Sequence, residues 1–240
     1  MTGGSSGLGF AIASRLALEG ARVIIAGRNQ KTVDEAVLRL NAMGGSAESL
    51  VMDVTDEQGV RAAITRIADR HPALDILVHS AGIVGPTHIK TVDYPTEAFS
   101  EVLGVNLRGS FLVVKYALPR IRRNPAGRIL LLASMAGKDG NPGMMGYTAS
   151  KAAVFGLVKA LGREYAEAGV IINGFAPAVV RTPLVDAMDP AQVEYLAGLI
   201  PMRRPGTLAE VAALGCWIVS PECSFTTGFV FDLSGGRATY

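Results

Sequence analysis

Residues 1–20 read MTGGSSGLGFAIASRLALEG. Gly3, Gly7 and Gly9 stand in the spacing glycine, three residues, glycine, one residue, glycine, and an apolar-periodic run follows to about Glu19. Glycine permits positive φ and close approach of backbone to a ligand. The helix that follows offers free N–H groups and the positive end of its dipole, a setting suited to a pyrophosphate. Ser5 and Ser6 add hydroxyl donors, and Leu8 sits inside the same turn. The same residues also describe an ordinary Gly/Ser-rich terminus with no ligand. A dinucleotide loop hangs from the end of a buried strand, yet only Met1 and Thr2 precede this one. The expectation is a strand-width gap in the sheet. Each buried main-chain group left unpaired there costs ~1–3 kcal/mol. That favours a natural chain beginning further upstream over a sheet whose neighbouring strands have closed up.

Beyond the loop, β-branched runs alternate with helical patterns. Strands are expected at Arg22–Ala26, Glu48–Met52, Asp75–His79, Arg128–Ala133, Val170–Phe175 and near Phe229–Asp232. Helices are expected over a stretch ending at Gly44, over one carrying Val60, Ile64 and Ile67 on one face, over about Thr96–Arg123, about Tyr147–Ala168, and Leu208–Ser220. Strands apolar on both faces and separated by helices predict a parallel sheet covered on both sides. No linker or repeat divides the chain, so one doubly wound, Rossmann-type α/β domain over residues 1–240 is expected, with its first strand missing.

Composition excludes several functions. Hydrophobic residues make up 49% and charged residues 18%, the profile of a core-rich globular protein. With 23 basic against 21 acidic residues, the net charge of +2 gives no nucleic-acid footprint. No basic run exceeds two residues and no long apolar span is present, so no membrane partner is expected. Cys216 and Cys223 form no metal or redox motif, and their scarcity suits a cytoplasmic setting.

The end of the first expected strand carries Gly27 and Arg28. An acid there would bond a ribose 2′-hydroxyl, whereas an arginine accommodates a 2′-phosphate. NADP is therefore expected in preference to NAD. Asp53, closing the next strand, either bonds the adenine amino group or caps a turn.

Tyr147 and Lys151 stand at i and i+4 and share a helix face. A tyrosine is a poor base at neutral pH, and a nearby ammonium lowers its pKa, which makes a workable proton-transfer unit. None of the other five tyrosines has a lysine four residues on. Ser134 lies thirteen residues before Tyr147, just past a strand, where open α/β sheets bind ligands. Asn106 is an amide within an apolar helical run, which taken alone describes a satisfied core residue better than a functional one.

Taken together, Thr2-Gly3-x-x-x-Gly7-x-Gly9, Asn106, Ser134, Tyr147 and Lys151 resemble the short-chain dehydrogenase/reductase family, over essentially the whole chain. The resemblance implies hydride exchange between a nicotinamide and a secondary alcohol or ketone. It implies that Tyr147 moves the proton at the substrate oxygen and that Ser134 holds the carbonyl. Lys151 would bind the nicotinamide ribose and lower the Tyr147 pKa, and Asn106 would anchor a water of the proton relay. It places further cofactor contacts at Gly3, Ser5, Ser6, Gly7, Leu8, Gly9, Arg28, Asp53, Val54, Ala81, Gly82, Pro177, Val180 and Thr182, with no metal. Two departures stand out. The family's Asn-Asn-Ala-Gly is here His79–Gly82, and its Pro-Gly is Pro177–Ala178, which argues that no positive φ is needed at 178.

The substrate is less legible. Residues 137–147 and the tail are similar to dehydrogenases of 2-keto-3-deoxy sugar acids and to 3-oxoacyl-[acyl-carrier-protein] reductases. A sugar acid needs a cation for its carboxylate, and Lys138, Arg181, Arg203, Arg204 and Arg237 are candidates. A turnover-deficient dinucleotide sensor or regulatory subunit is the alternative class, and a structural partner in a hetero-oligomer a third. The helix Phe111–Leu118 is apolar nearly all round, and Val154, Leu157, Leu161 and Tyr165 form a stripe on the next; the resemblance implies that such helices pair across a two-fold axis, so a homotetramer is expected. The tail GGRATY is expected to fold against a neighbouring subunit.

Overall fold

A computed structural model describes residues 1–182, 185 and 190–239. Among them the chain runs α1 (Gly7–Leu18), β1 (Arg22–Gly27), α2 (Gln30–Ala42), β2 (Ser46–Val51), α3 (Glu57–Arg70) and β3 (Ile76–His79). It continues through α4 (Thr96–Leu103), a π turn (Gly104–Arg108), α5 (Gly109–Ile121), β4 (Arg128–Leu132), α6 (Met135–Asp139), α7 (Met145–Glu164) and β5 (Ile171–Pro177). The last elements are α8 (Pro190–Gly198), α9 (Leu208–Val219) and β6 (Val230–Leu233).

All strand pairs are parallel: β1 with β2, and β3 with β4, β4 with β5, β5 with β6. Thr2 joins the two groups, pairing with Ala26 on one side and His79 on the other. The chain therefore winds one way through β1 and β2 and the other way through β3 to β6, with Gly3 leaving the sheet at the reversal. Open α/β sheets bind ligands at that crevice.

The expected gap is present. Met1–Gly3 supplies the only rungs between β1 and β3 among the described residues. The Ala26 N–H donates to the Met1 carbonyl at 2.8 Å, and the Thr2 N–H to the Val78 carbonyl at 3.1 Å. Below them a cleft of about 350 Å³ separates the N-terminal halves of the two strands, lined by Val23, Ile24, Ile67, Leu77 and Val113.

One core lies under α3, α5 and α7 and includes Leu77, Val113, Ile129, Leu131, Val154 and Ile172. The other face packs α1 and α9 on Val78, Leu130, Leu132 and Phe175, with α2 on Val23 and Ile25. In β4 the run Arg-Ile-Leu-Leu-Leu is buried at every position, because both faces are covered. Each such leucine contributes about 1.5–3 kcal/mol relative to exposure.

The boundaries differ from the sequence reading where tertiary contacts decide them. The expected single helix Thr96–Arg123 is interrupted by the π turn, which turns Asn106 inward to 1% exposure. Such bulges recur at functional sites. The short α6, the helix α8 and a 3₁₀ turn at Thr91–Asp93 carry no periodic signal that the sequence analysis picked up. Ala178 is not among the described non-glycine residues with positive φ, which are His88 and Arg203.

Candidate active site

The loop after Thr2 is shaped by its glycines. Gly3 has φ +62°, and a Cβ there would lie 2.6 Å from the Ala81 nitrogen. A Cβ on Gly9 would lie 2.2 Å from the Gly3 carbonyl oxygen. Gly7, with φ +53°, faces open space instead: a Cβ would meet nothing within 4 Å. Ser6 is the N-cap of α1 in extended conformation, and its side chain accepts no capping bond. The first turn of α1 holds no acid. Open backbone beside Gly7 and uncapped N–H groups at a dipole's positive end fit a dinucleotide's phosphates. Ser5, Ser6 and Leu8 belong to this same turn.

Thr2 is buried, and its hydroxyl meets His79 Nδ1 at 2.8 Å. His79 thus makes a side-chain link across the sheet where the family pattern has asparagine. Burial, then the Lys151 charge, drives its pKa down to about 3, so the imidazole is neutral. Ala81 packs against Gly3. Gly82 leaves room for Asn106 and Lys151: a Cβ there would stand 3.1 Å from Asn106 Oδ1 and 3.5 Å from Lys151 Nζ.

At the end of β1, Arg28 is exposed, and no acid stands at Gly27 or Asn29. Asn29 caps α2 through a bond from the Thr32 N–H. Asp53 Oδ1 accepts from the Thr55 N–H and hydroxyl, each at 2.8 Å. Burial pushes its pKa up, but those bonds and the Arg28 charge hold it below the usual carboxylate range. The turn-capping role of Asp53 is therefore realised. Val54 is buried beside Gly109.

On the other side of the reversal, Ser134 caps α6, accepting from the Ala136 N–H at 3.2 Å. The return of the chain into α7 brings the Tyr147 hydroxyl back to Ser134, which pulls its pKa down. Lys151 is 6% exposed and its Nζ lies 5.8 Å from the Tyr147 ring centroid. It donates to the Leu132 carbonyl at 2.7 Å. Burial lowers its pKa to about 8. The Tyr147 pKa is raised: burial of the hydroxyl pushes it up more than the Ser134 bond pulls it down. The shift has no contribution from Lys151, whose ammonium is turned to the Leu132 carbonyl.

Asn106 is a strut. Its Oδ1 accepts from the Ile83 N–H, and its Nδ2 donates to the Ile83 carbonyl, both at 2.8 Å. Nδ2 also donates to Ser150 Oγ at 2.9 Å, and Ser150 in turn donates to the Tyr147 carbonyl at 2.8 Å. Ser150 escaped the sequence reading, although it stands one residue before Lys151 and three after Tyr147.

Pro177 ends β5, and Val180 is buried and bridged to Gly206. The Thr182 hydroxyl accepts from the Val185 N–H at 3.3 Å. The cations considered for a carboxylate are largely engaged. Lys138 pairs with Asp232 at 2.6 Å, Arg237 with Asp139 at 2.7 Å and Arg204 with Glu210 at 2.6 Å. Arg203 donates to the Gly198 carbonyl.

Comparison with known proteins agrees with this geometry. Residues 3–238 match the family described as Enoyl-(Acyl carrier protein) reductase. The chain is 41% identical over its full length to 2-dehydro-3-deoxy-L-rhamnonate dehydrogenase (NAD(+)) of Sphingomonas sp. strain SKA58, covering 94% of that protein. It is 31% identical over 98% of its length to the 3-oxoacyl-[acyl-carrier-protein] reductase FabG of Thermotoga maritima, covering 95% of it. The crystal structure of a variant actinorhodin polyketide ketoreductase with NADPH superposes with a TM-score of 0.93 at 29% identity, over 100% of this chain and 96% of that one. The chain belongs to the short-chain dehydrogenase/reductase family. It is an oxidoreductase that acts on a CH–OH group or its carbonyl with a nicotinamide dinucleotide. Among the described residues no group of three or more His, Cys, Asp or Glu could hold a metal ion. Nor is any helix among them long and apolar enough to cross a membrane.

Proposed function

We propose that this chain is an NADP-linked dehydrogenase of a small hydroxy or keto acid, in which Tyr147 is the proton donor and acceptor. The observation that carries the reading is the meeting of Tyr147, Ser134 and Lys151 at the mouth of the sheet reversal. When bound, the nicotinamide supplies hydride exchange. The protein's part is positional and protonic. Ser134 and Tyr147 present two hydroxyls to one substrate oxygen, and Tyr147 passes the proton at that oxygen. The Lys151 ammonium, reaching toward Gly82, meets the ribose and offsets the charge of a forming phenolate. Asn106 holds the Ile83 segment and Ser150 in register beneath them.

The α1 turn, with Gly3, Ser5, Ser6, Gly7, Leu8 and Gly9, takes the pyrophosphate. Asp53, Val54, Ala81 and Gly82 line the adenosine side, and Pro177, Val180 and Thr182 the nicotinamide side. Arg28 supports NADP, because no acid opposes a 2′-phosphate there. Similarity to an NAD(+)-named relative pulls the other way. The same relative supports a 2-keto-3-deoxy sugar acid as substrate. A 3-oxoacyl thioester is the second reading, supported by the similarity to FabG.

A homotetramer of one-domain, cytoplasmic subunits completes the proposal. Two apolar faces support it. One is a groove of about 220 Å³ between α5 and α7, lined by Phe111, Val114, Leu118, Leu161 and Tyr165. The other, in the opposite helical layer, exposes Trp217, Phe225 and Phe229. Two such faces suit two two-fold axes. Purified protein assayed with NAD and NADP against sugar acids, 3-oxoacyl thioesters and simple ketones tests the whole reading. Turnover of none of them would defeat it.

A further inference from the structure

The tail after β6 does not extend away from the chain. Ser234–Ala238 folds back as a strap, and its contacts run to two separate segments. At one end, the Met202 N–H donates to the Gly235 carbonyl at 3.1 Å. Gly235, with φ +58°, leaves no space for a side chain, since a Cβ would stand 2.5 Å from Ile200 Cγ2. At the other end, Arg237 Nε donates to Asp139 Oδ2 at 2.7 Å and Nη2 to Asn141 Oδ1 at 3.0 Å. The Arg237 side chain is 16% exposed and that of Asp139 is 23% exposed, so this pair is shielded from solvent rather than loosely held at the surface.

The segment that Arg237 grips leads into the active site. The Asn141 N–H donates to Thr148 Oγ1 at 3.3 Å, and the Thr148 N–H donates to the Met144 carbonyl at 2.9 Å. Thr148 adjoins Tyr147. Residues 140–144 otherwise form a glycine-rich turn, with positive φ at Gly140 and Gly143, and glycine gives such a turn wide conformational freedom. A forked guanidinium bonded to both Asp139 and Asn141 removes that freedom at the point where α6 ends, shortly before α7 begins.

We infer that Arg237 is a positioning residue for the reaction: from the strap it fixes the Asp139–Thr148 turn and thereby the seat of Tyr147. Its cation is used to hold the protein's own carboxylate rather than a substrate's. This inference rests on Tyr147 as the proton-transfer group, but its structural half is measurable without any substrate.

The experiment compares wild type, Arg237→Ala, Arg237→Lys and the charge-swapped pair Asp139→Arg/Arg237→Asp. Amide hydrogen exchange is read first on the cofactor-free proteins. In Arg237→Ala, exchange is expected to rise in residues 139–148 and to stay at the wild-type level in β4, β5 and α3. With a substrate that wild type turns over, kcat is expected to fall by about ten- to a hundredfold, the scale on which misplacing a reacting group is felt. Substrate KM should change by less than about threefold, because no substrate contact is removed. Arg237→Lys should fall between, and the charge swap should recover part of the loss. Unchanged exchange in 139–148, or loosening spread evenly over the whole chain, overturns the inference. So does a rise in KM with kcat intact, which would make Arg237 a substrate ligand. Should wild type turn over nothing, the proposed function fails, and the exchange result still decides the role of the strap.

Discussion

Asn106, on the π turn, donates to Ser150, on α7, at 2.9 Å across 44 residues of sequence. The bond locks the helix that carries Tyr147 and Lys151 to the segment after β3. With the two bonds to Ile83 it leaves both N–H donors of the buried amide used. Asn106→Ala would strand the Ile83 N–H and carbonyl. The expected cost is about 2–4 kcal/mol of stability, read by urea denaturation, together with a loss of turnover. Asn106→Asp should keep the bond from the Ile83 N–H and lose the one to the Ile83 carbonyl, because a carboxylate cannot donate. A stability within experimental error of wild type for Asn106→Ala would refute the strut.

His79 gives a pH dependence whose sign is fixed. Its folded pKa is depressed to about 3 by burial and by Lys151, whereas an unfolded histidine titrates near ~6.5. The unfolded state therefore binds more protons between those limits. The His79 contribution is intact above about pH 6.5 and is lost as pH falls toward 3, at about 1.4 kcal/mol per pH unit within the window. His79→Asn should flatten the acid side of the stability profile. Parallel profiles for the two proteins would contradict the neutral, buried imidazole.

The proposed preference for NADP rests on Arg28. Arg28→Ala is expected to weaken NADP by about ten- to a hundredfold, the worth of a charge-assisted contact, and to leave NAD nearly unchanged. Titration calorimetry with both dinucleotides measures it. Equal kcat/KM for the two cofactors in wild type would count against the NADP reading.

Phe111 is 49% exposed at the edge of the α5–α7 groove. Phe111→Glu would place a charge in a face proposed to pair with its own copy. Light scattering should give four chains for wild type at micromolar concentration and a smaller mass for the variant. A monomer mass for wild type would overturn the tetramer.

The fold and the candidate site were legible because their signals are local. Tyr147 and Lys151 lie one helical turn apart, and Ser134 follows closely on the apolar run of β4; the resemblance to the family joins the three. Parallel strands apolar on both faces announced the sheet. What stayed hidden depends on distant partners. The use of the Asn106 amide requires Ile83 and Ser150, 23 and 44 residues away. The Arg237 pair spans 98 residues and reads from sequence as one more surface charge. The upward shift of the Tyr147 pKa follows from the burial of its hydroxyl, which no spacing reveals. Within its own chain the tail bonds to Asp139, Asn141 and Met202.

The most direct test of the account is Tyr147→Phe, assayed with the substrate that wild type turns over. The change removes one hydroxyl and keeps the ring in place. Proton transfer by a positioned side chain is worth about 10²–10⁴-fold, so kcat should fall by at least about a hundredfold. The dissociation constant of the dinucleotide, measured by fluorescence titration, should stay within about a factor of three, because uniform binding is untouched. A Tyr147→Phe protein that keeps most of its turnover would contradict the central claim.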